Sequence, residues 1–225
     1  MVSTDRKLSP FGNDRGGASK ARKKRAGPRK SRPLDDTALR DLALAYAARF
    51  STTGAKLEGY LARKIRERGV VEDADGRTVD LDVGALVERL IELGYVDDAA
   101  YARARSRDLT GRGYGKRRVE QALWAAGVED NIRHDHAPSE VEGRRAAILL
   151  AKKRRFGIFG TKLSEDLASD ARRAAKEKQI AAMLRAGHDF ADVRFILDAS
   201  QEYEIDEWLV EAEEAERDEE DNGTW

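Results

Sequence analysis

The sequence predicts an all-α protein, an elongated tandem array of three-helix repeats with a disordered basic N-terminal arm and an acidic C-terminal tail. Three observations predict it. Apolar residues recur at helical spacing through most of the chain, and no alternating β pattern of useful length appears. Glycine closes several of these stripes, at the C′ position where helices usually stop. Parts of the pattern also recur at a constant offset: Leu61, Ile65, Gly69 and Val70 match Val119, Leu123, Gly127 and Val128, 58 residues on. A repeat of this size cannot bury its apolar face alone and must stack on its neighbours.

The elements follow in order. Leu39, Leu42, Ala43, Tyr46, Ala47 and Phe50 line a first stripe. Leu57, Leu61 and Ile65 line a second, capped at Ser51 and ended by Gly69-Val70. A polar loop, EDADGRT, occupies 72–78, and Leu86, Leu90 and Leu93 form the next stripe up to Gly94. Asp97 stands at an N-cap position, with Asp98 in the first turn where the helix dipole favours a negative charge. After Gly111, Gly113 and Gly115, a helix carrying Val119, Leu123 and Ala126 runs to Gly127. Ser139 and Glu142 form a capping-box pattern ahead of Ala146, Leu149 and Leu150. A helix over roughly 165–186 ends at Gly187, and Asp189 caps a last repeat helix with Phe190, Val193, Ile196 and Leu197. A looser superposition, at an offset of 93, pairs Leu90, Ile91, Gly94 and Tyr95 with Met183, Leu184, Gly187 and His188. The expected organisation is a basic arm (1–33), repeats over 34–78, 79–130 and 131–201, and an acidic helix and tail (202–225).

Composition narrows the function. The 225 residues include no cysteine, which excludes a disulfide framework or a thiolate site and fits a reducing, cytoplasmic setting. No apolar run reaches membrane-spanning length, and the basic N-terminus lacks the apolar core of a signal peptide. The formal net charge of zero conceals an asymmetry. Residues 1–33 hold 11 Lys/Arg against Asp5 and Asp14, whereas residues 202–225 hold 12 Asp/Glu against Arg217 alone. The arm, low in apolar residues and rich in Gly, Pro and cations, is expected to be disordered; it is either a solvated tail or a contact for nucleic acid or an acidic partner surface. At the other end Ile205, Trp208, Leu209 and Ala212 fall at helical spacing, so a short amphipathic helix is expected to fray into a charged tail after Glu216. The acidic end could compete with nucleic acid for the basic surfaces.

Chemistry-bearing residues point to binding. Arg103, Arg105, Arg107, Arg112, Lys116, Arg117 and Arg118 crowd one repeat, with Tyr114 between glycines. Arg103 and Arg107, four apart, share a helix face. Guanidinium forks suit phosphate or carboxylate, and a nearby aromatic can stack on a base. Lys152 and Lys153, in a run ending at Phe156, could extend that surface. Two readings of the cluster stand: a solvated helix surface with Tyr114 as a packing plug, or a face for a partner or nucleic acid. His134, Asp135 and His136 are too few for a metal site, and His188 is expected to pack at a turn. GRGYG follows a helix and lacks the G-K-[ST] ending of a phosphate loop. No catalytic residues, metal or cofactor are expected, and a monomer is.

The stretch LIELGYVDDAAYARARSRDLTGRGYGKRRVEQALWAAGV resembles the central repeat of RecX-type regulatory proteins. The resemblance is carried by Gly94-Tyr95-x-Asp97-Asp98, Tyr101-Ala102, the arginine-rich helix, Gly113-Tyr114-Gly115 and Gly127-Val128. RFSTTGAKLEGYLARKIRERGV resembles that family's first repeat, and the likeness covers roughly 38–199. It implies a modulator, mostly an inhibitor, of the RecA recombinase. Such a protein lies in the groove of the RecA–single-stranded DNA filament, hinders its growth, ATPase and coprotease activities, and has no catalytic centre. It would act in DNA repair, recombination and the SOS response. The alternative is a stand-alone DNA-binding helical-repeat protein.

Overall fold

The structure is a computed structural model that describes residues 32–160 and 169–222. Most of the basic arm, and the expected start of a helix at 165, lie outside the described residues. The described chain is all-α: α1 (Asp36–Arg49), α2 (Gly54–Arg68), α3 (Val83–Glu92), α4 (Asp98–Thr110), α5 (Lys116–Trp124), α6 (Asp130–Asp135), α7 (Glu140–Arg154), α8 (Ser169–Arg185), α9 (Phe190–Asp198) and α10 (Glu202–Asn222). A 3-10 turn, Gly157–Phe159, follows α7.

Three apolar cores organise these helices. The first unites Leu34, Leu39, Leu57, Leu61, Val87, Leu90 and Val96 from α1, α2, α3 and their flanks. Burying a leucine such as Leu57 or Leu61 completely is worth roughly 1.5–3 kcal/mol, so α3 is bound tightly to α2. Leu34, also fully buried, is fastened by backbone bonds to Gly69 and Val71. The 72–78 loop folds back on itself through a bridge between Glu72 and Thr78, with Asp73 Oδ1 accepting from the Asp75 and Arg77 N–H groups.

The second core holds Ala102, Leu109, Val119, Leu123, Ala126 and Val128 from α4, α5 and the turn after it, with Ile132 of α6 against it. The third joins Ala147, Leu150, Ala151, Met183, Val193, Ile196 and Ile205, from α7, α8, α9 and α10. The expected break after residue 78 therefore falls within the first core, because the buried face of α3 meets α2 and not α4. Helix α6 then supplies the third helix of the second unit. It is six residues long with one apolar residue, Ile132, too short to show a period.

The C-terminal acidic segment also differs from expectation. It is one helix continuing to Asn222, whose side-chain amide closes the last turn on the Asp218 carbonyl. Ile205 and Ala212 are buried, and Trp208 stacks on Phe195 with ring centroids 4.8 Å apart. Its acids meet α7: Glu213 pairs with Arg145 at 2.7 Å and Glu202 with Lys152 at 3.0 Å. Arg144 bonds the Trp208 carbonyl and lies 4.4 Å from the indole centroid. This segment is part of the third core.

Two seams join the units. At the first, Thr53 caps α2 by accepting from the Lys56 N–H and donates its own hydroxyl to the Ala126 carbonyl at 2.5 Å. Thr53, extended and immediately before Gly54, takes the capping role expected of Ser51. The Asp98 carboxylate, at the start of α4, accepts from the Gly54 N–H at 2.9 Å. At the second seam the start of α5 meets the turn after α8: Gly115 N–H donates to the Ala186 carbonyl at 3.0 Å and Arg117 N–H to the Gly187 carbonyl at 3.2 Å. Helix α8 therefore stands in the third unit where α5 stands in the second. Leu123, Ala126, Gly127 and Val128 correspond to Met183, Ala186, Gly187 and His188, an offset of 60. The offset of 93 had matched α8 to α3 only because their C-terminal turns close alike, His188 N–H on Met183 and Tyr95 N–H on Leu90.

Candidate interaction surface

Helix α4 positions the first group of cations. Asp97 caps it, its carboxylate accepting from the Ala100 N–H at 2.7 Å. Burial of Ala102, Ser106 and Leu109 fixes the inward face and turns Arg103 and Arg107 to solvent. Arg105 is half-buried and pairs with Asp108 at 2.9 Å; Arg112 approaches the same carboxylate at 3.5 Å. Arg103 and Arg107 have no acidic partner among the described residues.

The 111–115 turn places the second group. Gly113 has φ +88° and lies against α7, where a Cβ would stand 3.3 Å from Leu150. Gly115 is packed so closely that a Cβ would come within 2.4 Å of the Gly187 carbonyl oxygen, a contact no side chain tolerates. Tyr114, between them, is half-buried and packs against both the second and the third core, with the Arg112 guanidinium 5.6 Å from its ring centroid. His188 is 2% exposed, and its Nε2 lies 3.0 Å from the Gly113 carbonyl. A carbonyl only accepts, so Nε2 carries the proton. Burial holds the imidazole below its ordinary pKa, a direction the Gly113 bond only partly offsets.

Lys116, Arg117 and Arg118 occupy the exposed first turn of α5. No side chain caps that helix and no acid stands in its first turn. Cations there oppose the helix dipole, at roughly 0.3–1 kcal/mol each in an exposed setting. Arg118 reaches Gln121 at 3.5 Å, and none of the three has an ion pair among the described residues.

The ten candidate residues do not form one patch. Arg112, Tyr114 and Lys153 come together at a small cleft between the 111–115 turn and the end of α7. Lys116 faces another cleft, of about 580 Å³, with Trp124, Arg133 and His134. Lys152 is diverted to Glu202 and to the Phe159 ring, 5.1 Å away. Trp124, 71% exposed, was not singled out in the sequence; its place off the Val119–Leu123–Ala126 stripe was the available signal. Among the described residues no group of three His, Asp or Glu side chains could hold a metal, and no helix is long and apolar enough to cross a membrane.

Fold and surface define a class: an all-α protein built of three-helix units, whose central unit carries exposed cations without acidic partners among the described residues. Comparison with known proteins gives that class its family. Residues 97–135 match the family model described as RecX, second three-helix domain. The chain is 30% identical over 190 residues to the regulatory protein RecX of Myxococcus xanthus, covering 83% of this chain and 97% of that one. It is 32% identical over 135 residues to the regulatory protein RecX of Deinococcus radiodurans, covering 57% of this chain and 59% of that one. The crystal structure of RecX from Lactobacillus salivarius matches with a TM-score of 0.53 at 20% identity, over 72% of this chain and 96% of that one, and shares the fold. The chain belongs to the RecX family of regulatory proteins. The family's second three-helix domain begins at Asp97, the residue that caps α4.

Proposed function

We propose that this chain binds the RecA–single-stranded DNA filament and restrains its growth, its ATPase and its coprotease activity. It acts as a cytoplasmic monomer without a catalytic centre of its own. Family membership supports a regulatory role, and one observation supports the choice of surface: Arg103, Arg107, Lys116, Arg117 and Arg118 are exposed with no acidic partner among the described residues. Three of them stand against a helix dipole that an acidic first turn would have stabilised. Cations held at that cost are explained by an anionic partner. The residue 1–33 segment carries a further excess of Lys/Arg in the sequence.

The test is DNA-dependent ATP hydrolysis by RecA filaments, titrated with this protein at physiological salt. Inhibition well below one molecule per recombinase subunit is expected, and Arg103→Glu/Arg107→Glu/Arg117→Glu should abolish it while helical circular dichroism stays the same. Undiminished inhibition by the triple variant would remove this face from the proposal; no inhibition by the parent would remove the filament. A stand-alone DNA-binding role is the second reading, favoured by the same unpaired cations. It predicts DNA affinity without RecA that falls steeply with salt.

A further inference from the structure

We infer that the cleft between the 111–115 turn and the C-terminal end of α7 is a phosphate-binding site for the backbone of single-stranded DNA. The inference deepens the proposed function, on which it rests for the choice of a single strand. The cleft, about 140 Å³, opens at the second seam and is walled by Arg112, Tyr114, Leu150, Lys153, Arg154 and Phe156, with alanines of α8 and the turn after it behind them. No acid lines it. Asp108, which Arg112 approaches at 3.5 Å, is held closer by Arg105, at 2.9 Å. Lys153 and Arg154 make no ion pair among the described residues. Three cations therefore converge on one small opening with their charge largely unspent.

The chemistry selects the ligand. Two guanidinium forks and an ammonium match the non-bridging oxygens of a phosphodiester. The side chains that line the opening offer positive charge to phosphate oxygens, and such contacts position a strand without reading its sequence. The half-buried faces of Tyr114 and Phe156 give the adjoining sugar an apolar wall. Lys116, Arg117 and Arg118, which follow Gly115, add exposed positive charge on the first turn of α5, outside the cleft. The seam itself keeps the site in shape: Gly113 rests on Leu150, and His188 holds the Gly113 carbonyl from below.

The test uses the full chain without recombinase and reads the anisotropy of a labelled oligothymidylate over a range of salt. Arg112→Ala/Lys153→Ala/Arg154→Ala should weaken binding at least about tenfold at low salt. It should also flatten the log–log salt slope by about 2, at roughly 0.7 per phosphate contact on a single strand. Equal charge removed from α8, as Arg172→Ala/Arg173→Ala/Lys178→Ala, should leave the slope nearly unchanged. Parallel slopes for parent and cleft variant, or equal losses in both variants, overturn the site. If the parent inhibits RecA filaments yet binds no DNA alone, and the cleft variant loses that inhibition, the cleft takes an acidic protein segment and the DNA assignment falls. Retained filament inhibition with no DNA binding by either protein refutes this inference and leaves the proposed function standing.

Discussion

The two seams solve one problem in different ways. Each sets the start of a helix in one unit against the glycine turn that ends a helix in the next. The first does so with side chains, the Thr53 hydroxyl and the Asp98 carboxylate. The second closes on the turn with backbone, Gly115 and Arg117 N–H groups bonding to the Ala186 and Gly187 carbonyls, and adds one side-chain bond, from His188 Nε2–H to the Gly113 carbonyl. Closing on backbone demands glycine on both sides: a Cβ on Gly187 would lie 2.5 Å from the Arg118 nitrogen. In return, the first turn of α5 needs no capping side chain, and its exposed positions are free to carry Lys116, Arg117 and Arg118. The tighter seam is the one beside the cations.

The contrast can be broken most severely at the glycines. Gly187→Ala combines a φ of +94° with overlap onto rigid backbone, and should cost about 3 kcal/mol or more in urea unfolding. Gly127→Ala also has positive φ, +73°, but its obstacle is the Ala55 methyl at 2.3 Å. Its loss should be about 2 kcal/mol, and Ala55→Gly should recover part of it in a double-mutant cycle. No such partner exists for Gly187, so equal recovery at both seams would mean that the distinction between side-chain and backbone closure is false. Thr53→Val removes both the cap and the bond to Ala126 and should cost about 1–2 kcal/mol, with Thr53→Ser close to the parent in the same titration. The smallest effect is in pH. His188 is neutral in the fold with its pKa lowered, so the unfolded chain takes up the proton first. Stability from this group is present above about pH 6.5 and is lost as pH falls from there toward the folded value. His188→Phe should flatten that part of the stability curve. Asp98 and Asp192 shift upward, mainly through burial, and so act with the opposite sign: the fold is relieved of their charge as pH falls through the carboxylate range. A decline near pH 6 that survives in His188→Phe would detach the pH response from the second seam.

Most helices were legible in the sequence because a period needs only the residues that carry it. Leu57, Leu61 and Leu123 are fully buried, Asp97 caps α4, and the Ser139–Glu142 box closes in both directions. What the sequence left open was which helix packs on which. The α3 stripe, read as Leu86, Leu90 and Leu93, looks the same whether it faces α2 or α4; the fold buries Val87 and Leu90, leaves Leu93 exposed, and puts the boundary after residue 78 inside the first core. The candidate surface was less legible for a related reason. Lys152 and Lys153 are neighbours in the chain, yet one meets Glu202 of α10 and the other has no ion pair among the described residues. Whether a cation is available depends on acids brought near from distant segments, and periodicity does not record them.

The docking of α10 has a consequence for synthesis on the ribosome. The first core is complete once Val96 has emerged, and can close while most of the chain is still to be made. The third core waits for Ile205, more than fifty residues after Ala151. Until then Arg144 and the part of α7 that α10 covers stay exposed, although α8 and α9 emerge earlier and can pack on the rest of the helix. The acidic helix is thus a late-arriving lid on a nascent hydrophobic surface, and the last unit, not the first, is where this protein most needs protection from aggregation.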